Sequence, residues 1–130
     1  MKYEIIIIGA GHSGGMAAIT LRQKKFTGSI LIIGDENYSP YQKPALSKGF
    51  LTNQVSESSL MLRSDSFYEK NNIELMINNK VVAINRVDKL LELNDNSQIS
   101  YNKLIIATGS KINQINNVTS MKGVYYLRTI

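Results

Sequence analysis

The sequence predicts an α/β fold in which a parallel sheet carries a short antiparallel meander, and three observations predict it. Two apolar, β-branched runs, "YEIIIIG" and "SILIIGDE", flank a stretch with helical spacing, all between Tyr3 and Glu36. Three short runs, "VVAIN", "LLELN" and "QISY", follow one another with only brief polar joins. A last apolar run, "KLIIATGS", again meets a glycine at its end.

Each element has its own local reason. "YEIIIIG" is short, apolar and β-branched, as a strand buried on both faces of a parallel sheet must be. From about Ser13 to Lys25, Met16, Ala17, Ala18, Ile19 and Leu21 give an apolar face. Arg22, Lys24 and Lys25 put positive charge in the last turn, where the helix dipole favours it. Gly28 breaks this helix, and "SILIIGDE" forms a second buried strand, so that the whole is a βαβ unit. The segment from Asn37 to about Ser58 is polar and irregular and contains Pro40 and Pro44. "SDSFYEKNN" predicts a short helix capped by Ser64 or Asp65, and "IELMIN" a third strand. "RVDK" and "DNS" then turn the chain twice, which makes "VVAIN", "LLELN" and "QISY" an antiparallel meander, with "KLIIATGS" as a separate strand after it.

Composition narrows the function. The chain has 130 residues, 43% hydrophobic and 19% charged, which is ordinary for a globular domain. It has no cysteine, which excludes a disulfide scaffold, a thiolate metal site and a redox-active dithiol within this stretch. No apolar run reaches the ~18 residues of a membrane span, and no signal-peptide pattern opens the chain, so a cytoplasmic protein is expected. The net charge of +5 comes from scattered lysines and arginines without a basic block, which argues against nucleic-acid binding.

The chemistry is concentrated at strand ends. Gly9, Gly11 and Gly14 form G-x-G-x-x-G between a strand and a helix. In that setting one glycine turns the chain, the next lets the backbone reach a pyrophosphate, and the third lets helix and strand pack closely. The anion then meets the free N–H groups of the helix N-terminus. Asp35 ends the second strand about 20 residues later, at the distance of an acid that hydrogen-bonds a ribose hydroxyl. His12, the only histidine, lies with Ser13 inside this loop and reads as a side chain lining the phosphate region rather than as an acid–base group. The motif indicates a dinucleotide and leaves FAD and NAD equally open. Beyond Asp35, "SPYQKPALSKGFL" forms a rigid loop at the carboxyl end of the sheet, with Lys43 and Lys48 able to neutralise pyrophosphate or stand beside a flavin.

"GAGHSG", "GDE", "PYQKPALSKGFL", "MLR…FY", "LIIATGS" and "GVYYLRTI" occur in that order along nearly the whole chain. Together they resemble the N-terminal part of the FAD-dependent NADH:ferredoxin reductases, of the rubredoxin and putidaredoxin type, which are related to apoptosis-inducing factor. The resemblance implies a Rossmann-like FAD-binding domain, incomplete at its C-terminus, with residues 1–130 as its first part and the NADH-binding and C-terminal interface domains absent. An open sheet edge is expected as a result. It implies FAD as cofactor, NAD(P)H as electron donor, and a ferredoxin- or rubredoxin-type protein as acceptor. In this family Gly9, Gly11, His12, Ser13 and Gly14 match the pyrophosphate loop, and Asp35 and Glu36 the acidic end of the second strand. Lys43 falls where the family usually has an arginine touching FAD, and Lys48 matches the lysine near the flavin, where its charge is expected to tune reduction. Val81 matches a backbone contact to adenine, Ala107, Thr108 and Gly109 the turn beside the cofactor, and Arg128 a flavin-contacting arginine. The chain departs from the family pattern at Ala45, where a second proline is common, and at His12 and Ser13. A truncated non-catalytic nucleotide-binding module and an NAD-binding domain are the alternatives.

Overall fold

The computed structural model describes residues 2–115 and 121–130. Ten elements follow one another: β1 (Lys2–Ile8), α1 (His12–Gln23), β2 (Ile30–Ile33), 3-10 turns at Lys43–Ser47 and Glu57–Leu60, α2 (Asp65–Lys70), β3 (Ile73–Met76), β4 (Val81–Asn85), β5 (Leu90–Leu93) and β6 (Gln98–Ile106). All strands join one sheet in the order β3-β2-β1-β6-β5-β4. The first four are parallel: Ile5 to Ile8 pair with Ile30 to Ile33 on one side and with Lys103 to Ile106 on the other. β5 and β4 are antiparallel, as the meander requires.

The two apolar runs are buried on both faces because each face has a cover. Ile5, Ile7, Ile30 and Ile32 point to one side, where they meet Ala18 of α1 and Tyr68 of α2. Ile6, Ile8, Leu31 and Ile33 point to the other, where Leu91, Leu93 and Ile99 of the meander pack on them. The meander therefore does the work of a second helical layer, and β2 is sealed along its full length, each residue at most 1% exposed. Each of those side chains contributes roughly 1.5–3 kcal/mol by burial.

Two sequence expectations are revised. "QISY" and "KLIIATGS" are one continuous strand, β6, because Asn102 between them is polar but sits in extended conformation and makes no turn. Its first residues, Gln98 to Ser100, pair with β5, while Ser100 to Ile106 pair with β1. Beyond Tyr101 its outer edge has no strand partner among the described residues. The other revision concerns α2. Ser64 holds the N-cap position in extended conformation, but its hydroxyl meets Ser66 Oγ at 3.0 Å instead of capping the helix. Among the described residues no helix is long and apolar enough to cross a membrane, and no group of three or more acidic, histidine or cysteine residues is placed to share a metal ion.

Arg22 does more than answer the helix dipole. Its guanidinium donates to four main-chain carbonyls: Phe26 at 2.6 Å, Gly28 at 2.8 Å, Asn71 at 2.7 Å and Asn72 at 2.7 Å. It thus ties the end of α1, the turn into β2 and the turn into β3 together, with its planar group over the Phe26 ring at 6.0 Å. Only the rigid five-donor fork of arginine fits four acceptors at once. Arg22→Lys is expected to destabilise the protein by about 2–3 kcal/mol, because charge-assisted hydrogen bonds are lost and carbonyls are left without donors. The measurement is the thermal midpoint, expected to fall by about 10 °C; an unchanged midpoint refutes the clamp.

Candidate functional site

The parallel strands β1, β2 and β6 all end at the same edge of the sheet, and a cleft of about 900 Å³ opens there. That volume lies within the ~300–1,000 Å³ of small-molecule and cofactor pockets, and the position is where open α/β sheets bind ligands.

The glycine loop builds its floor. Gly9 has φ +112°, and a side chain there would overlap the Ala107 carbonyl, at 2.2 Å from an added methyl. Its N–H donates to Ile33 O at 2.7 Å, and Ala107 N–H donates to Ile8 O at 2.8 Å, so the three strand ends are locked in register. Gly14 does not line the cleft; a methyl on it would lie 1.9 Å from the Gly9 carbonyl, so its role is the close packing of α1 on the loop. At Gly11, by contrast, a methyl would meet nothing within 4 Å. Gly11 is the N-cap of α1, with no side-chain cap and no acidic residue in the first turn. The positive end of a 12-residue helix, together with exposed His12 and Ser13, therefore faces the cleft uncompensated, the arrangement that attracts a phosphate.

The wall opposite is charged. Asp35 and Glu36 leave β2 side by side, yet they differ. Asp35 is exposed and has no hydrogen-bond partner among the described residues. Glu36 is taken: Oε2 accepts from the Tyr41 hydroxyl at 2.5 Å and Oε1 from Lys43 Nζ at 2.5 Å. Tyr41 is 1% exposed; its phenol is pushed well above the usual tyrosine range, first by burial and then by Glu36, and so stays a donor. Lys43, Val81, Ala107, Thr108, Gly109 and Arg128 all line the same cleft. The sequence reading is thus brought together at all its sites but two. Gly14 acts from behind the floor, and Lys48 is exposed at the end of the Lys43–Ser47 turn, outside the lining.

Asn79, Lys80 and Lys111 line the cleft as well and were not singled out from sequence. Asn79 N–H donates to Gly34 O at 2.8 Å, and Asn78 N–H to Glu36 O at 2.9 Å, which binds the β3–β4 turn to the exit of β2. A signal existed: β3 is parallel to β2, so its exit must lie at the same edge.

The two glycines separate packing from access. Gly14→Ala is expected to lower stability by about 1–3 kcal/mol, as overpacking does, whereas Gly11→Ala leaves it unchanged within ~0.5 kcal/mol. Chemical denaturation of both variants checks this, and equal losses would contradict the assignment.

The residues fit a dinucleotide: a floor without side chains, an uncapped helix N-terminus, and a free carboxylate at the end of β2. Comparisons with known proteins agree. Residues 3–130 match the pyridine nucleotide-disulphide oxidoreductase profile. The chain is 42% identical over 128 residues to a probable ferredoxin reductase of Castellaniella defragrans, covering 98% of this chain and 31% of that protein. It is 39% identical over 127 residues to a rubredoxin-NAD(+) reductase of Pseudomonas putida, covering 97% of this chain and 33% of the other. Among solved structures, a ferredoxin reductase from Rhodopseudomonas palustris superposes with a TM-score of 0.88 at 39% identity, over 97% of this chain and 31% of that one. Putidaredoxin reductase in its covalent putidaredoxin complex gives 0.85 at 32% identity, over 88% and 28%. The chain spans about a third of the length of these relatives. With its profile matched from Tyr3 to the last residue, and with the loop, acid and cleft of a dinucleotide-binding fold, the chain belongs to the pyridine nucleotide-disulphide oxidoreductase family.

Proposed function

We propose that this chain is the N-terminal, FAD-holding part of a cytoplasmic reductase that takes electrons from NAD(P)H and passes them to a ferredoxin- or rubredoxin-type iron–sulfur protein. One observation carries the reading: the uncapped start of α1, the free Asp35 carboxylate and the Arg128 guanidinium converge on one cleft at the carboxyl edge of the sheet. The names of the relatives supply the reaction, since they are reductases of ferredoxin or rubredoxin.

The residues divide the work of binding. The first-turn N–H groups of α1 and the bare backbone at Gly9 and Gly11 would hold the pyrophosphate, with His12 and Ser13 flanking it. Asp35 would accept hydrogen bonds from the ribose hydroxyls. Val81 would meet the adenine through its backbone, and Ala107, Thr108 and Gly109 would let the cofactor pass close to the end of β6. The chemistry supplied by bound FAD is acceptance of an electron pair from NAD(P)H and its release as single electrons. This chain binds and orients; the nicotinamide site and the contact with the iron–sulfur partner belong to an NADH-binding and an interface domain.

The direct test is to mix the purified protein with FAD or NAD, remove free nucleotide by gel filtration and record the ultraviolet and visible spectrum, in which flavin alone gives visible bands and NAD only ultraviolet absorption. Flavin bands that travel with the protein, and are weakened about tenfold or more in affinity by Asp35→Ala, are the expected result; retention of NAD in place of FAD, or of neither, refutes it. A second test concerns Lys48, whose charge is proposed to favour the reduced, anionic flavin. Lys48→Ala is expected to slow flavin reduction by NAD(P)H about tenfold, equivalent to ~1.4 kcal/mol of barrier, with FAD retained. An unchanged rate removes Lys48 from the mechanism, consistent with its exposed position outside the lining.

A further inference from the structure

The sheet ends at β3. That strand pairs with β2 alone, and its outer edge has no strand partner among the described residues. Such an edge presents a row of unpaired N–H and C=O groups, a template for another extended chain. A groove of about 550 Å³ runs along it and shares no residue with the nucleotide cleft.

The groove reaches both faces of the strand. On one side lie Asp65, Tyr68 and Glu69 of α2, with Ile73 packed against Tyr68. Glu74, next along β3, points to the opposite face, where it stands beside Tyr3. Asp65, Glu69 and Glu74 are all exposed, and none of them is in an ion pair among the described residues. No lysine or arginine lines the groove, a local reversal of sign in a chain of net charge +5.

The acids are not grouped to share one metal ion, so what suits them is positive charge spread along a chain. Tyr68 adds a polar group to the groove wall. It is 1% exposed, and its hydroxyl has no hydrogen-bond partner among the described residues. Burial pushes its phenol up to about 12, so it stays protonated. Two copies of this chain joined edge to edge would bring carboxylates against carboxylates, which is destabilising. A basic strand meets opposite charge on both faces, because its successive side chains alternate between them.

We propose that the groove between α2 and β3 docks an extended, lysine- or arginine-rich segment of a partner protein, which adds to the sheet as a strand beside β3. Its backbone takes up the unpaired edge groups. Its side chains meet Asp65 and Glu69 on one face and Glu74 on the other. The site stands apart from the FAD reading and does not depend on it.

The test uses the natural protein that carries this chain and a fluorescent peptide of Lys-Val-Val-Lys repeats, whose lysines fall on both faces of a strand. Saturable binding by anisotropy is expected, with the outward amides of Ile73–Met76 slowed about tenfold in hydrogen exchange. The same peptide N-methylated at alternate residues keeps its charge but cannot pair as a strand, and is expected to bind about tenfold more weakly. Glu69→Lys combined with Glu74→Lys alters only exposed side chains and is expected to weaken binding about tenfold or more. No binding, or an unchanged affinity in the double variant, overturns the inference. Equal binding of the N-methylated peptide shows charge attraction alone and also overturns it. So does protection of the outward amides without peptide, which means the edge is already covered, by a second copy if the protection rises with protein concentration.

Discussion

The approach of α1 to the Gly9 carbonyl constrains everything at the site. A methyl on Gly14 would stand 1.9 Å from that oxygen, so only a glycine permits the helix to lie against the loop. The uncapped N-terminus of the helix then opens into the cleft. The same economy recurs nearby. Gly15 leaves room for Pro40 and Leu62, and Gly34 for Ala10, so the loop from the second strand can close over the helix. A dense run of small residues here is a packing requirement before it is a ligand-binding one.

Around this contact the chain solves a burial problem. Strands as apolar as β1 and β2 need cover on both faces, and among the described residues the two α-helices both lie on one face. The meander fills that need: β6 runs past its antiparallel partner and joins the parallel sheet, carrying Ile99 and Tyr101 with Leu91 and Leu93 onto the second face. A strand shared between two sheet types thus links the core to the cleft, since its far end is the Ala107–Gly109 turn.

The polar segment after β2 is organised by its own small core. Tyr41, Leu46 and Leu60 are buried together, and the strand-like bridge between Tyr41 and Met61 closes the loop on itself. From that base the Tyr41 hydroxyl enters the charged wall of the cleft. Hydrophobic packing below and hydrogen bonding above are joined in one side chain, which is why a loop rich in prolines and polar residues can hold charges in fixed positions.

Much was legible in the sequence because it depends on near neighbours. The βαβ unit, the glycine loop, the meander and the acid at the end of β2 follow from periodicity, turn chemistry and spacing along the chain, and the edge at which they converge follows from parallel pairing. The state of each charge did not follow. Asp35 and Glu36 are adjacent and chemically alike, but Tyr41 and Lys43 claim one carboxylate and leave the other free. Lys43 and Lys48 lie in one short loop, yet one lines the cleft and the other faces solvent. "QISY" and "KLIIATGS" resemble two strands until pairing with β1 makes them one. The sequence determined most of the elements and the edge at which the glycine loop and the acid converge, because backbone conformation and apolar burial are largely set by local pattern. Only the tertiary structure decided which side chains remain available there, because donors and charges are taken up by whatever the fold brings beside them, including a main-chain carbonyl 85 residues distant.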